Sequence, residues 1–128
     1  MQKIDFTKGN GLVPVIVQDY RTREVLMVAY MNEEAWKKTQ KTGKAYYYSR
    51  SRRRLWLKGE ESGHFQMVKD VLIDCDNDTL LLQVKQTGGG ACHLGYQSCF
   101  FRKQVKKDWK VASKRTFEPG AVYKNVKG

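Results

Sequence analysis

The chain has 128 residues, 41% of them apolar and 29% charged, which suits one domain with its own core and leaves too little for a second. Its formal charge of +11 invites a nucleic-acid partner, but the excess is uneven: residues 101–128 hold nine Lys/Arg against two Asp/Glu, the pattern of a solvated terminal run. No apolar leader and no apolar run of membrane-spanning length occurs, so the expected compartment is the cytoplasm, with no membrane partner.

In chain order, "LVPVIVQD" and "EVLMVAYM" are apolar runs separated by the polar "YRTR", which predicts an antiparallel strand pair. Asn32 is placed to cap a short helix with Glu33 and Glu34 in its first turn, and Gly43 to end it. "KAYYYS" and "RLWLKG" predict two short strands with the basic "SRSRRR" at their junction. After the glycine-flanked "GEESG", the segment "HFQMVKDVLID" alternates. Phe65, Met67, Val71 and Ile73 fall on one face and Gln66, Asp70 and Asp74 on the other. "NDTLLLQVKQ" then returns as the second strand of a hairpin whose tip is acidic. The three glycines of "TGGGACHLGYQSCFF" permit backbone approaches that other residues forbid. The whole predicts an α+β, mostly β single domain, rich in hairpins and carrying one or two short helices.

Two ligand chemistries meet in "DCDND". On an extended strand Asp74 and Asp76 would share one face, with Cys75 on the other, and Asp78 could join the carboxylates if the turn curls back. Clustered carboxylates suit magnesium. An EF-hand is excluded, because counting from Asp74 puts Thr79 at the required glycine and Lys85 at the bidentate glutamate. The odd set Cys75, Cys92 and Cys99 favours metal ligation or burial over disulfides. Cys92 and Cys99, seven residues apart, would share a face if the segment were helical. Three thiolates leave zinc an open position, as a catalytic site requires. His93 beside them is a candidate for proton transfer. His64 is a weaker candidate for binding, with a surface residue as the plain alternative. Arg50, Arg52, Lys58, and by extension Arg53 and Arg54, suit an anionic ligand, with Trp56 offering a flat apolar face.

Together "YYSRSRRRLWLKGEESGHFQ", "DCDND" and "GGGACHLGYQSCFFR", in this order, resemble phosphoribosyl-AMP cyclohydrolase, a histidine-biosynthesis enzyme that opens the adenine ring of phosphoribosyl-AMP by hydrolysis. The resemblance covers roughly residues 10 to 104 and implies a domain over residues 1–104 followed by a basic C-terminal extension, 105–128. It implies magnesium on Asp74, Asp76 and Asp78. It implies zinc on Cys75, Cys92 and Cys99, shared between the subunits of an intertwined homodimer. His93 is then catalytic, and Arg50, Arg52, Lys58, Trp56 and His64 bind substrate. Many relatives fuse this activity to a phosphoribosyl-ATP pyrophosphohydrolase; the chain leaves no room for one, so a monofunctional form is expected. No functional residue is expected beyond Val105.

Two rival readings fit less well. A zinc nucleobase deaminase needs H-x-E and P-C-x-x-C elements, and "HFQ" and "HLG" lack the glutamate. An RNA-binding sheet needs RNP-like aromatics, which are absent, so a nucleotide rather than a nucleic acid is the expected ligand.

Overall fold

The computed structural model describes residues 3–122. In chain order the elements are β1 (Val13–Asp19), β2 (Val25–Met31), α1 (Glu33–Thr42), β3 (Tyr46–Ser49), β4 (Arg54–Leu57), β5 (Gln66–Ile73), β6 (Leu80–Gln86), β7 (Arg102–Val105), β8 (Asp108–Val111) and α2 (Pro119–Val122). Among the described residues the regular structure is mostly strand, with one helix of ten residues and a single helical turn at 119–122, as the sequence predicts.

A four-stranded sheet has the order β2-β1-β6-β5, in which β1 and β6 run parallel and the outer pairs are the two expected hairpins. Alternation fixes its core face: Val13, Val15 and Val17 of β1 and Leu80, Leu82 and Val84 of β6 are buried in one cluster. Ala35 of α1 and Tyr47 of β3 join that cluster. The helix has the ends the sequence assigns. The Asn32 side chain accepts from the Ala35 N–H at 2.8 Å, and Gly43 closes the helix at φ 76. The two-stranded β3–β4 ribbon is tied to β5 through the Ala45 N–H donating to the Gln66 carbonyl at 3.0 Å.

Three expectations need correction. On β5 the alternation does not run through. The pairing shifts between Val68 and Asp70, so Gln66 and Val68 share the core face with Val71, while Met67 opposes Lys85. One extra residue in a strand inverts the facing of everything before it. Residues 88–99 form no helix. The loop folds back on itself, with the Ala91 N–H donating to the Gln97 carbonyl at 3.0 Å and the Cys92 N–H to the Tyr96 carbonyl at 3.1 Å. Glycine is required here, since a Cβ on Gly90 would lie 2.6 Å from the Tyr96 carbonyl oxygen. The third correction concerns the acidic segment. β5 ends at Ile73, so Asp74 to Asp78 are carried by a turn and not by an extended strand.

Position 104/105, where the extension was expected to begin, falls inside β7, which pairs with β8. Beyond that hairpin the chain returns to the body at residues 112–119.

Candidate functional site

The acidic turn is built from its own backbone. The Asn77 N–H donates to the Asp74 carbonyl at 3.1 Å, Asn77 adopts φ 61, and the Asp74 carboxylate accepts from the Asp78 and Thr79 N–H groups at 3.1 and 3.3 Å. Asparagine tolerates this left-handed conformation better than most residues. The turn brings oxygens of Asp74, Asp76 and Asp78 within 4.8 Å of one another, so the triplet expected from the sequence assembles, through a turn. Desolvation opposes ionisation of Asp74, but the amides of Asp78 and Thr79 outweigh it and hold its carboxyl below the ordinary value. Lys8 lies 3.5 Å from the Asp78 carboxylate and also donates to the Asp76 carbonyl at 3.3 Å. Nothing in the sequence flagged Lys8. Three converging carboxylate oxygens with a single nearby ammonium fit a hard divalent cation such as magnesium.

Cys92 and Cys99 adjoin through the folded loop, close enough for the Cys92 thiol to act on the ionisation of Cys99. The Ser98 hydroxyl donates to the Val25 carbonyl at 2.7 Å and the Cys99 N–H to the Leu26 carbonyl at 2.7 Å, which pins this end of the loop to β2. Cys99 keeps an exposed surface, but the protein packed around its thiol desolvates it and pushes it up to about 11; Cys92 adds to the rise and Lys58 acts in the opposite sense. Two adjacent thiols beside an ammonium are a donor set for a thiophilic cation such as zinc. Cys75 is exposed on the acidic turn, and among the described residues the three cysteines form no common cluster within one chain.

A cavity of about 290 Å³ lies beside the β3–β4 ribbon. Arg52, Arg54, Trp56, Lys58, Glu61 and His93 line it, so the basic junction, the "GEESG" loop and the cysteine loop meet there. Of the expected substrate contacts, Arg52, Trp56 and Lys58 line this cavity. Arg50 turns elsewhere, its guanidinium 4.0 Å from the centre of the Tyr30 ring. Lys58 is buried and donates to the Ala91 carbonyl at 2.6 Å. Burial lowers its pKa, while Cys99 and Cys92 act to keep it charged. His64 is also buried. It lies beneath Gly88, edge-on to Phe117 with ring centres 4.7 Å apart, and it lines no part of the cavity. Its Nδ1 has no hydrogen-bond partner among the described residues. Glu60, Glu61 and Ser62 line the cavity without having been singled out; their only signal is the glycine-flanked loop next to the basic cluster. The acidic turn contributes nothing to this cavity.

A family profile described as phosphoribosyl-AMP cyclohydrolase matches residues 27–101. Relatives of that name extend the match further. The protein of Desulforapulum autotrophicum is 60% identical over 125 residues, 97% of this chain and all of the relative. The chain belongs to the phosphoribosyl-AMP cyclohydrolase family. It is an enzyme of that type. A relative from Solibacter usitatus is 53% identical over 94% of this chain and 95% of its own length, and one from Methanoregula boonei 54% identical over 96% of each. These matches run past Val105, whereas the family profile ends at residue 101. Among the described residues no helix is long and apolar enough to cross a membrane.

Proposed function

We propose that the chain hydrolyses phosphoribosyl-AMP, opening the adenine ring to the phosphoribosyl-formimino-aminoimidazole carboxamide nucleotide in L-histidine biosynthesis, as a cytoplasmic homodimer dependent on zinc and magnesium. The observation that carries the reading is the single cavity on which Arg52, Trp56 and His93 converge, with Cys92 next to His93 in sequence and paired with Cys99. An anionic group, a flat base and a proton-transfer step each find a suitable partner there.

Zinc would be held by Cys92 and Cys99 of one chain with Cys75 of a second copy, and would supply the Lewis acidity that makes water a nucleophile near neutral pH. Support for the shared arrangement lies in the separation, within one chain, of exposed Cys75 from the adjoining pair. Asp74, Asp76 and Asp78 would hold magnesium. Arg52, with Arg54 beside it, offers forked donors to the phosphate. Trp56 presents its ring to the adenine, and His93 takes or returns a proton as the ring bond breaks. Lys58, directed at the Ala91 carbonyl, holds the cysteine loop against the ribbon.

Incubating the purified protein with phosphoribosyl-AMP and following ring opening by absorbance tests the activity. Zinc-stripped and Cys92→Ala samples should be inactive and zinc readdition should restore only the former; no ring opening by the zinc-replete wild type would refute the proposal. Mixed dimers of Cys75→Ala and Cys99→Ala chains should regain activity that neither homodimer has. Inactive mixed dimers, verified by mass with an affinity tag on one of the two chains, would remove the shared site.

A further inference from the structure

The segment after β8, to which the sequence assigns no role, crosses back over the loop that carries Cys92 and His93. The Ala112 N–H donates to the Phe101 carbonyl at 2.8 Å and turns the chain inward. The Thr116 and Phe117 N–H groups then both donate to the Gly95 carbonyl, at 2.7 and 3.3 Å. The Thr116 hydroxyl reaches the Gly89 carbonyl and, at 3.3 Å, that of Gly95. Two consecutive residues thus grip the loop on both sides of Cys92 and His93.

The same contact explains two glycines. A Cβ on Gly89 would lie 2.7 Å from the Phe117 ring, and one on Gly95, already at φ 98, would lie 2.5 Å from the Phe117 carbonyl oxygen. Neither approach leaves space for a side chain. Phe117 continues onto the buried His64 ring, and the Arg115 guanidinium lies 5.8 Å from the centre of the Tyr96 ring, which stacks on Phe101 at 3.7 Å. The loop itself contains no helix or strand, so its conformation depends on such cross-contacts.

We propose that Thr116 and Phe117 are positioning residues for the reaction, clamping residues 89–95 so that Cys92 and His93 keep a fixed geometry at the cavity. The proposal rests on the roles given above to Cys92 and His93. Its physical reason is that catalytic groups displaced by about 1 Å lose much of their effect, and a glycine-rich loop supplies little rigidity of its own.

Hydrogen exchange on the purified full-length chain, without added metal, reads the clamp directly. In Phe117→Ala the amides of residues 88–99 should exchange about tenfold faster, the scale of one or two lost packing or hydrogen-bond contacts, with β1 and β6 unchanged. Phe117→Leu should recover most of the protection, and Thr116→Val should lose about fivefold. In zinc-loaded enzyme, Phe117→Ala should release zinc to a chelator faster and lower kcat about tenfold with KM nearly unchanged. Unchanged exchange at residues 88–99, an equal rise in β1 and β6, or a KM effect with kcat kept would each overturn the proposal. Wild-type protein without ring-opening activity would instead refute the function, because the exchange measurement needs neither substrate nor zinc.

Discussion

Tyr47→Phe isolates one hydrogen bond in the core beneath the cavity. Tyr47 is fully buried, its hydroxyl donates to Gln66 Oε1 at 2.5 Å, and its ring lies 5.1 Å from that of Trp56, centre to centre. Gln66 is also fully buried, and its amide nitrogen donates to Gln86 Oε1 at 2.9 Å. Removing the hydroxyl leaves Gln66 Oε1 without a donor where no water reaches it, at a cost of about 1–3 kcal/mol. Gln66→Met should also destabilise, because it strands the phenol. The double variant replaces both partners by apolar groups and should cost less than the sum by about 1 kcal/mol or more. Urea unfolding at neutral pH, with a common m-value, measures the cycle. Additive effects, or a Tyr47→Phe cost below about 0.5 kcal/mol, would refute the reasoning. The pH dependence gives a second reading. Burial pushes the Tyr47 phenol far above its ordinary value in the folded state. A raised folded pKa means the stabilisation is complete below the unfolded tyrosine value of about 10 and is lost as pH rises beyond it. The stability gap between wild type and Tyr47→Phe should therefore narrow by about 1.4 kcal/mol per pH unit above that point.

Gly43→Ala should cost about 1–2 kcal/mol in thermal or urea unfolding with activity intact, because the position is left-handed but surrounded by open space. Arg52→Ala should raise KM for phosphoribosyl-AMP about tenfold with kcat nearly kept, whereas Lys58→Met should lower kcat about tenfold with KM nearly kept, since its ammonium is committed to Ala91. The reverse pattern would put Lys58 on the phosphate. Asp74→Asn keeps an oxygen for the Asp78 and Thr79 amides but removes one charge of three, so magnesium affinity by calorimetry should fall about tenfold while the fold persists. Unchanged affinity would remove the triplet from the magnesium site.

Local signals carried much of the result. The Asn32 and Gly43 helix ends, the two hairpins of the main sheet and the β3–β4 ribbon depend on short-range chemistry, and each stands where the sequence predicts. The donor types of the acidic and cysteine motifs are equally local, because residue type alone decides which cations a carboxylate or thiol suits. What failed had its cause at a distance in sequence. The shift after Val68 follows from pairing with β6, and no feature of the strand itself announces it. The 88–99 loop folds without a helix because its backbone bonds across to residues 96 and 97 and, beyond them, to β2. Lys58 reads as a solvent-facing cation until the Ala91 carbonyl is brought to it from 33 residues away.

By itself, then, the sequence determined the element types and the family resemblance, which reside in residues close together along the chain, and the donor types that the candidate metal sites offer. Tertiary structure alone decided which of the basic residues face the cavity and that the basic C-terminal segment grips the loop bearing Cys92 and His93. Those outcomes depend on contacts between segments far apart in sequence, where packing and unshared backbone groups, not local propensity, select the conformation.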